Sequence, residues 1–173
     1  SNVVEFVRNL EFNSVVPRIP DGVVSQGSSG VLDNAKHMDL ESEQDYQVVS
    51  STEALEAMIK ILRQAKGFVF DTETNGLDPM TATLVGLSFS VVQSKAWYVP
   101  VGHQEGSQMP MKSVLDALRP ILEDPMVSKT GHNLNFDLSV LGSHEISVKG
   151  CFRDTMVAAH LLGKKAIGLK GLA

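Results

Sequence analysis

Two acidic residues separated by a single residue, Asp71 and Glu73, follow an apolar run that begins at Phe68. In a β-strand, residues i and i+2 project from the same face, so these two carboxylates are expected side by side, with Thr72 on the other face. Neighbouring carboxylates repel each other, which raises a pKa unless a cation neutralises them. The pair therefore predicts a divalent metal site at the end of a buried strand.

A second acidic element lies at Gly131–Asp137, with the sequence GHNLNFD. Asn133 and Asp137 are four residues apart, so a helix would place them on one face, and the first turn of a helix favours anions. Asp137 can then meet the first acidic pair across the sheet. Carboxylate oxygens select Mg²⁺ or Mn²⁺, and two such ions about 3.5–4 Å apart are the usual arrangement for phosphodiester hydrolysis.

Hydrophobic periodicity predicts the elements that must position these residues. Strands are expected at 46–49, 68–73, 83–91, 96–101 and 127–130, and helices at 111–123, 133–142 and 155–162. Another helix is expected to open at Ser50, which forms a capping-box pattern with Glu53, and to end at Gly67. Pro120 is expected to kink its helix or to split off the last turn. The close spacing of three strands suggests an antiparallel meander within an α/β fold, a mixed sheet flanked by helices.

Composition limits the class of protein. The chain has 173 residues, a net charge of -5 and one cysteine, Cys151. This length suits one domain with a real core, and no apolar run approaches the roughly 20 residues of a membrane helix, so no membrane partner is expected. A nucleic-acid partner would have to be held locally, by metal ions and a few cations. A single cysteine excludes an internal disulfide and favours a reducing, cytoplasmic location.

The region before the compact part has a different composition. Residues 3–16 predict a short amphipathic helix that Pro17 and Pro20 end. Residues 21–45 are rich in Gly, Ser, Asp and Asn, which predicts a flexible linker. The compact domain is expected to begin near Tyr46.

Both acidic elements resemble a known family. Asp71–Thr74 closely resembles the first motif of the DEDD 3′–5′ exonucleases, and Gly131–Asp137 resembles their second motif. The segments between and after them look like the proofreading domain of bacterial DNA polymerase I, namely Leu84–Ser90, Trp97–Val101, Arg119–Asp124 and Phe152–Met156. This resemblance covers residues 46–173 and implies an RNase H-like fold. Residues 1–20 are similar to the helical end of the connection to a preceding 5′-nuclease domain.

The resemblance also implies roles for individual residues. Asp71, Glu73 and Asp137 would be the catalytic residues and would ligate two divalent ions, Mg²⁺ or Mn²⁺. Five residues would contact the substrate. Thr74 would lie beside the 3′ end, Leu77 would wedge against the terminal base, and Phe136 would pack on a sugar or base. Asn133 would support the metal site or the substrate by hydrogen bonding. His132 adjoins these residues in the sequence, and for that reason it is the histidine expected to touch the substrate. The implied partners are a single-stranded 3′ end of DNA and a polymerase domain on the same chain, in the bacterial cytoplasm at the nucleoid.

One part of the family pattern is missing. The third motif of the family supplies a Tyr and, four residues later, a fourth Asp, and neither residue type follows Asp154 in this sequence. Asp154 matches the residue that opens the next helix of the family, for which an N-cap role suffices. The chain is therefore expected to be incomplete at its C-terminus, to hold one ion weakly or none, and to have little nuclease activity alone.

Two alternative functions belong to different classes. The first is a non-catalytic scaffold that supports a polymerase domain, which the intact carboxylates argue against. The second is an RNA-trimming exonuclease similar to RNase D, against which the strand sequences and the N-terminal segment favour the polymerase. An isolated Asp-x-Glu after a strand would most often be a solvated turn, and the second motif is what favours a metal site.

Overall fold

The structure is a computed structural model in which residues 44–150 and 152–172 are described. Its elements, in chain order, are β1 (Asp45–Val48), α1 (Thr52–Gln64), β2 (Gly67–Thr74), β3 (Leu84–Val92), β4 (Lys95–Pro100), α2 (Met111–Leu122), β5 (Ser128–Gly131), α3 (Leu134–Ser143), β6 (Phe152–Asp154), α4 (Thr155–Leu161) and α5 (Leu169–Leu172). The helix expected at 3–16 lies outside the described residues, as does most of the linker expected at 21–45. Strand β1 begins at Asp45, the residue at which the linker was expected to end.

One six-stranded sheet organises the described residues, in the order β1-β4-β3-β2-β5-β6. The pairs β2–β3 and β3–β4 are antiparallel, so the predicted meander is confirmed. The pairs β1–β4, β2–β5 and β5–β6 are parallel, which makes the sheet mixed. The predicted α/β class, an RNase H-like mixed sheet flanked by helices, is confirmed.

The core lies under one face of the sheet. Phe68, Phe70 and Thr72 alternate along β2 as buried residues, while the residues between them project from the opposite face. Helices α1 and α2 pack against each other, and α1 and α3 both contact β2. The apolar face predicted for α1 is buried as expected, at Leu55, Met58, Ile59 and Leu62.

The predicted ends of α1 were wrong at both termini. Ser51, not Ser50, is the N-cap, and its hydroxyl accepts a hydrogen bond from Ala54 N at 3.3 Å. Gly67 does not cap the helix, because the chain is already extended at Ala65, and it opens β2 instead. A side chain at Gly67 would place its Cβ 2.8 Å from the carbonyl oxygen of Ser128, so the close approach of β5 requires glycine here.

Pro120 was expected to kink or split its helix, and the split does not occur. Helix α2 runs without interruption to Leu122, with Pro120 inside it and the buried side chains of Ile121 and Leu122 after it. The burial of these two side chains outweighs the lost backbone hydrogen bond close to the helix end.

The topology leaves the end of β2 partly free on one side. Strand β5 pairs only with Gly67–Val69, whereas β3 pairs with β2 as far as Thr74. Backbone donors of β2 beyond Val69 on the β5 side must therefore find other partners. No helix in the described part of the chain is long and apolar enough to cross a membrane.

Candidate active site

The first acidic pair lies on the central strand of the sheet. Asp71 and Glu73 are separated by buried Thr72 and therefore share the face of β2 that is turned away from the core. Across the antiparallel ladder, they lie opposite Ser88 and Gly86 of β3. Asp71 keeps part of its surface in solvent although protein atoms surround much of its carboxyl group, and Glu73 is half-buried, so that a cation from solution can reach both carboxylates.

The surroundings of Asp71 and Glu73 disfavour the ionised form of both side chains. Burial, then the charge of Asp137, then that of Glu73 raise the pKa of Asp71 to about 7. Burial and the charge of Asp137 also raise the pKa of Glu73. Each of these contributions opposes ionisation, so the site as folded favours either a proton or a cation.

Asp137, on α3, contacts β2 at Thr72. Its side chain is 2% exposed, and its Oδ1 accepts hydrogen bonds from Thr72 N at 2.8 Å and Thr72 Oγ1 at 2.7 Å. The Thr72 amide lies beyond the end of the β5 pairing, so Asp137 satisfies a backbone donor that no strand reaches. Burial raises the pKa of Asp137 more than these hydrogen bonds lower it.

The start of α3 is held by Asp154. Asn133 is the N-cap of α3 and adopts a left-handed conformation, with φ of 63°, so it is outside the helix and does not share a helical face with Asp137 as expected. Asp154 accepts hydrogen bonds from Asn133 N at 3.1 Å and Leu134 N at 2.8 Å. It also accepts from Met156 N and Val157 N of α4, which confirms its predicted N-cap role.

His132 leaves one ring nitrogen available. The hydroxyl of Thr155 donates to the carbonyl of Gly131 at 3.1 Å and also lies 2.8 Å from His132 Nδ1. Since a hydroxyl has one proton, His132 Nδ1–H must be the donor in that second contact, which leaves Nε2 as an acceptor in the neutral ring. That Nε2 is buried and has no hydrogen-bond partner among the described residues.

The other residues predicted to contact substrate differ from one another in how exposed their side chains are. Leu77 is 97% exposed on the loop after β2, and Thr74 donates to the carbonyl of Gly76 at 2.7 Å. Asp78 stabilises this loop by accepting from Met80 N and from Thr81 Oγ1. Phe136 is partly buried against the core, while Asn133 is exposed. Leu77 is therefore the apolar residue of this set whose side chain is exposed.

The donor chemistry fits a hard divalent cation, but the ligand set is incomplete. The charge of Asp137 raises the pKa values of both Asp71 and Glu73, so the three carboxylates lie near one another. Within the described residues, no three His, Cys, Asp or Glu side chains are arranged so that they could hold one metal ion. Asp137 is hydrogen-bonded to Thr72, whose side chain lies on the face of β2 opposite to that of the acidic pair.

Sequence reasoning missed Tyr98, which adjoins the acidic pair. Burial and the negative charge of Glu73 raise the pKa of Tyr98 to about 12. Its hydroxyl lies 2.6 Å from His103 Nε2. The register of β3 with β4, which places Tyr98 opposite Ser88 and two residues from Gly86, carries no signal in the sequence.

Comparisons with known proteins identify the family of this chain. The family model for the 3′–5′ exonuclease matches residues 46–173. The DNA polymerase I of Chloroflexus aurantiacus is 42% identical over 126 residues, which are 73% of this chain and 13% of that protein. Other curated relatives carry the same description. The chain spans less than a fifth of the length of each of the first two of these relatives.

Two solved structures share the fold. RNase D of Escherichia coli, an exoribonuclease involved in structured RNA processing, has a TM-score of 0.58 and 19% identity over 74% of this chain and 32% of that chain. Brucella melitensis NrnC with bound Mg²⁺ has a TM-score of 0.52 and 22% identity over 74% of this chain and 58% of that chain. At these identities the likeness shows the fold alone. The family model and the 42% identity go further, and the chain belongs to the 3′–5′ exonuclease domain family of DNA polymerase I.

Proposed function

We propose that residues 46–173 act in the metal-dependent removal of 3′-terminal nucleotides from DNA, as the proofreading part of a DNA polymerase I. The observation that carries this proposal is the pair of carboxylates on β2, where burial and like charge raise the pKa of Asp71 to about 7. A cation relieves this repulsion, and divalent ions on carboxylates are the usual means of phosphodiester hydrolysis. The relative at 42% identity, a DNA polymerase I, supports DNA as the substrate.

Asp71 and Glu73 would hold the ions, with Asp137 completing the set. Two divalent ions, Mg²⁺ or Mn²⁺, would supply the Lewis acidity that the chemistry requires. The Mg²⁺ in the related fold of NrnC supports a divalent ion of this kind. For Asp137 to contribute, a carboxylate that now accepts two hydrogen bonds from Thr72 must also face the pair.

The substrate contacts follow from exposure and hydrogen-bonding capacity. Leu77 presents an apolar side chain to a terminal base, and Thr74 lies at the base of the same loop. His132 is next to Asn133 and would also contact the substrate, although its Nε2, unpartnered among the described residues, is buried in the free protein. Asn133 and Phe136 lie on the same segment and would contact the adjoining sugar or base. We also propose that the parent chain carries a polymerase domain and works at the nucleoid in the bacterial cytoplasm.

The test is a nuclease assay on 5′-labelled single-stranded DNA with Mn²⁺ or Mg²⁺. Since only three of the four expected carboxylates are identified, we expect slow shortening from the 3′ end. Asp71→Ala should reduce the rate by about a hundredfold or more, because it removes several kcal/mol of charge stabilisation. The exposed Asp116, which pairs with Lys112, provides the matched control, and Asp116→Ala should leave the rate unchanged.

An RNA strand of the same sequence distinguishes the alternative function. Faster shortening of RNA than of DNA would favour an RNase D-like enzyme. Shortening that persists without metal, or that Asp71→Ala does not reduce, would contradict the proposed site.

A further inference from the structure

The phenol ring of Tyr98 occupies the space above a glycine in the neighbouring strand. A Cβ added at Gly86 would lie 2.1 Å from the Tyr98 hydroxyl oxygen, 2.4 Å from Cζ and 2.7 Å from Cε2. No side chain fits at Gly86 while the ring stays there. The hydroxyl therefore lies almost where the side chain of residue 86 would begin.

The sheet register places this hydroxyl beside Glu73. Gly86 lies directly opposite Glu73 in the antiparallel pairing of β2 with β3. Residues in this relation point to the same face, with their Cβ positions about 4.5–5.5 Å apart. The Tyr98 hydroxyl thus stands in the cross-strand position next to Glu73, within reach of the carboxylate at the end of that side chain.

A second set of contacts fixes the position of the hydroxyl. His103 Nε2 lies 2.6 Å from the Tyr98 oxygen, and the two rings meet edge to face with centroids 5.8 Å apart. Gln108 holds the backbone of His103 at both ends, accepting from His103 N at 3.0 Å and donating to His103 O at 2.6 Å. The imidazole is therefore fixed by a loop outside the acidic motifs.

We propose that Tyr98 is a positioning residue for Glu73, with its hydroxyl held by His103 and donating a hydrogen bond to the Glu73 carboxylate. In this arrangement His103 Nε2–H would donate to the phenol oxygen, and the phenol would donate its proton to Glu73. Hydrogen bonds to a ligating carboxylate orient it and typically change metal affinity by about 10–100-fold. This inference rests on the proposed function, in which Glu73 holds a divalent ion.

Tyrosine NMR tests the contact without any metal. The chain contains two tyrosines, and Tyr46 is 64% exposed on β1, so ζ-¹³C labelling gives one signal from the site and one internal control. Tyr46→Phe and Tyr98→Phe assign the two signals. Glu73→Gln should shift the Tyr98 signal and leave the Tyr46 signal in place.

Mn²⁺ titration of the same proteins, followed by electron paramagnetic resonance, tests the consequence. Tyr98→Phe should raise the Kd for Mn²⁺ about tenfold, and the matched control Tyr46→Phe should leave this Kd unchanged. Gly86→Ala retains the hydroxyl but displaces the ring, and it should weaken Mn²⁺ binding by a similar factor. Thermal unfolding verifies that each variant is folded at the temperature of the titration.

The outcomes separate this proposal from the proposed function. A Tyr98 signal that does not respond to Glu73→Gln overturns the positioning role. So does Mn²⁺ binding that is equally tight in the wild type and in Tyr98→Phe, since a merely structural tyrosine would alter stability alone. A wild type that binds no Mn²⁺, but whose Tyr98 signal responds to Glu73→Gln, contradicts the metal site and supports the Tyr98–Glu73 contact.

Discussion

Asp71 and Asp154 are both aspartates near the C-terminal end of a strand, yet their surroundings are opposite. Asp154, at the end of β6, accepts hydrogen bonds from four backbone N–H groups, two at the start of α3 and two at the start of α4. Burial raises the pKa of Asp154, but these donors together lower it below its ordinary value. Asp71, on β2, has only neighbours that raise its pKa.

The two carboxylates therefore differ in how the folded protein treats their negative charge. The folded protein stabilises the charge of Asp154, so this side chain contributes to stability and needs no cation. The folded protein opposes the charge of Asp71, so that side chain costs stability unless something neutralises it. Substitutions at the two positions are therefore expected to have opposite signs.

The largest effect is expected from Asp154→Ala. Loss of an N-cap costs about 0.5–2 kcal/mol, and Asp154 caps two helices, so the free energy of unfolding should fall by about 1–4 kcal/mol. Urea unfolding followed by the fluorescence of Trp97, which is buried and is the sole tryptophan, provides the measurement. Asp116→Ala is the surface control, with a change within about 0.5 kcal/mol. If Asp154→Ala lowers the free energy of unfolding no more than Asp116→Ala does, the contrast drawn between Asp154 and Asp71 is wrong.

A smaller loss is expected from Thr72→Val. This change removes the hydroxyl that donates to Asp137 but keeps the shape of the side chain and the backbone donor. A hydrogen bond to a charged group contributes about 1.5–3 kcal/mol, so the free energy of unfolding, measured in urea, should fall by about that amount. Thr81→Val removes a similar but exposed bond to Asp78 and serves as the control. An equal loss in both variants would show that burial of the Thr72–Asp137 contact contributes nothing.

The smallest effect, with the opposite sign, is expected from Asp71→Asn. The pKa of Asp71 is raised from 3.8 to about 7, so its contribution to stability is complete below about pH 4 and is lost as the pH rises through about 7. Because solvent screens this exposed group, the gain of Asp71→Asn at pH 8 should be about 1 kcal/mol, or about 2–4 °C in Tm.

Thermal unfolding at pH 5 and pH 8, without metal, measures this gain. The gain should be smaller at pH 5, where Asp71 is already protonated in the folded protein. Asp116→Asn provides the control, because the hydrogen bond from Lys112 lowers the pKa of the exposed Asp116 and no gain is expected there. A Tm that falls in Asp71→Asn at pH 8 would reverse the assignment of Asp71 as a strained carboxylate.

Local patterns in the sequence predicted most of the fold. Alternation along β2 placed Asp71 and Glu73 on one face, and the order of strands and helices gave the mixed sheet. The capping role of Asp154 was also predicted, because an aspartate before a helix needs only its own neighbours to act. These features depend on residues within a few positions of each other.

Contacts between distant residues explain what could not be predicted. Asp137 and Thr72 are 65 residues apart, and their hydrogen bonds depend on where the β5 pairing stops. The left-handed conformation of Asn133 depends on Asp154, 21 residues later. The choice between Ser50 and Ser51 as the cap depends on how α1 meets the sheet. The ligand assignment of Asp71, Glu73 and Asp137 stays a prediction.

The attachment of Asn133 to Asp154 sets an order of events during synthesis. A ribosome that adds about 5–20 residues per second needs about 1–4 s to pass from Asn133 to Asp154, which follows it by 21 residues. Throughout that interval, the helix that bears Asp137 lacks the group that caps it. The acidic strand emerges earlier still, so the nascent chain exposes its carboxylates before the helix opposite them has a fixed beginning.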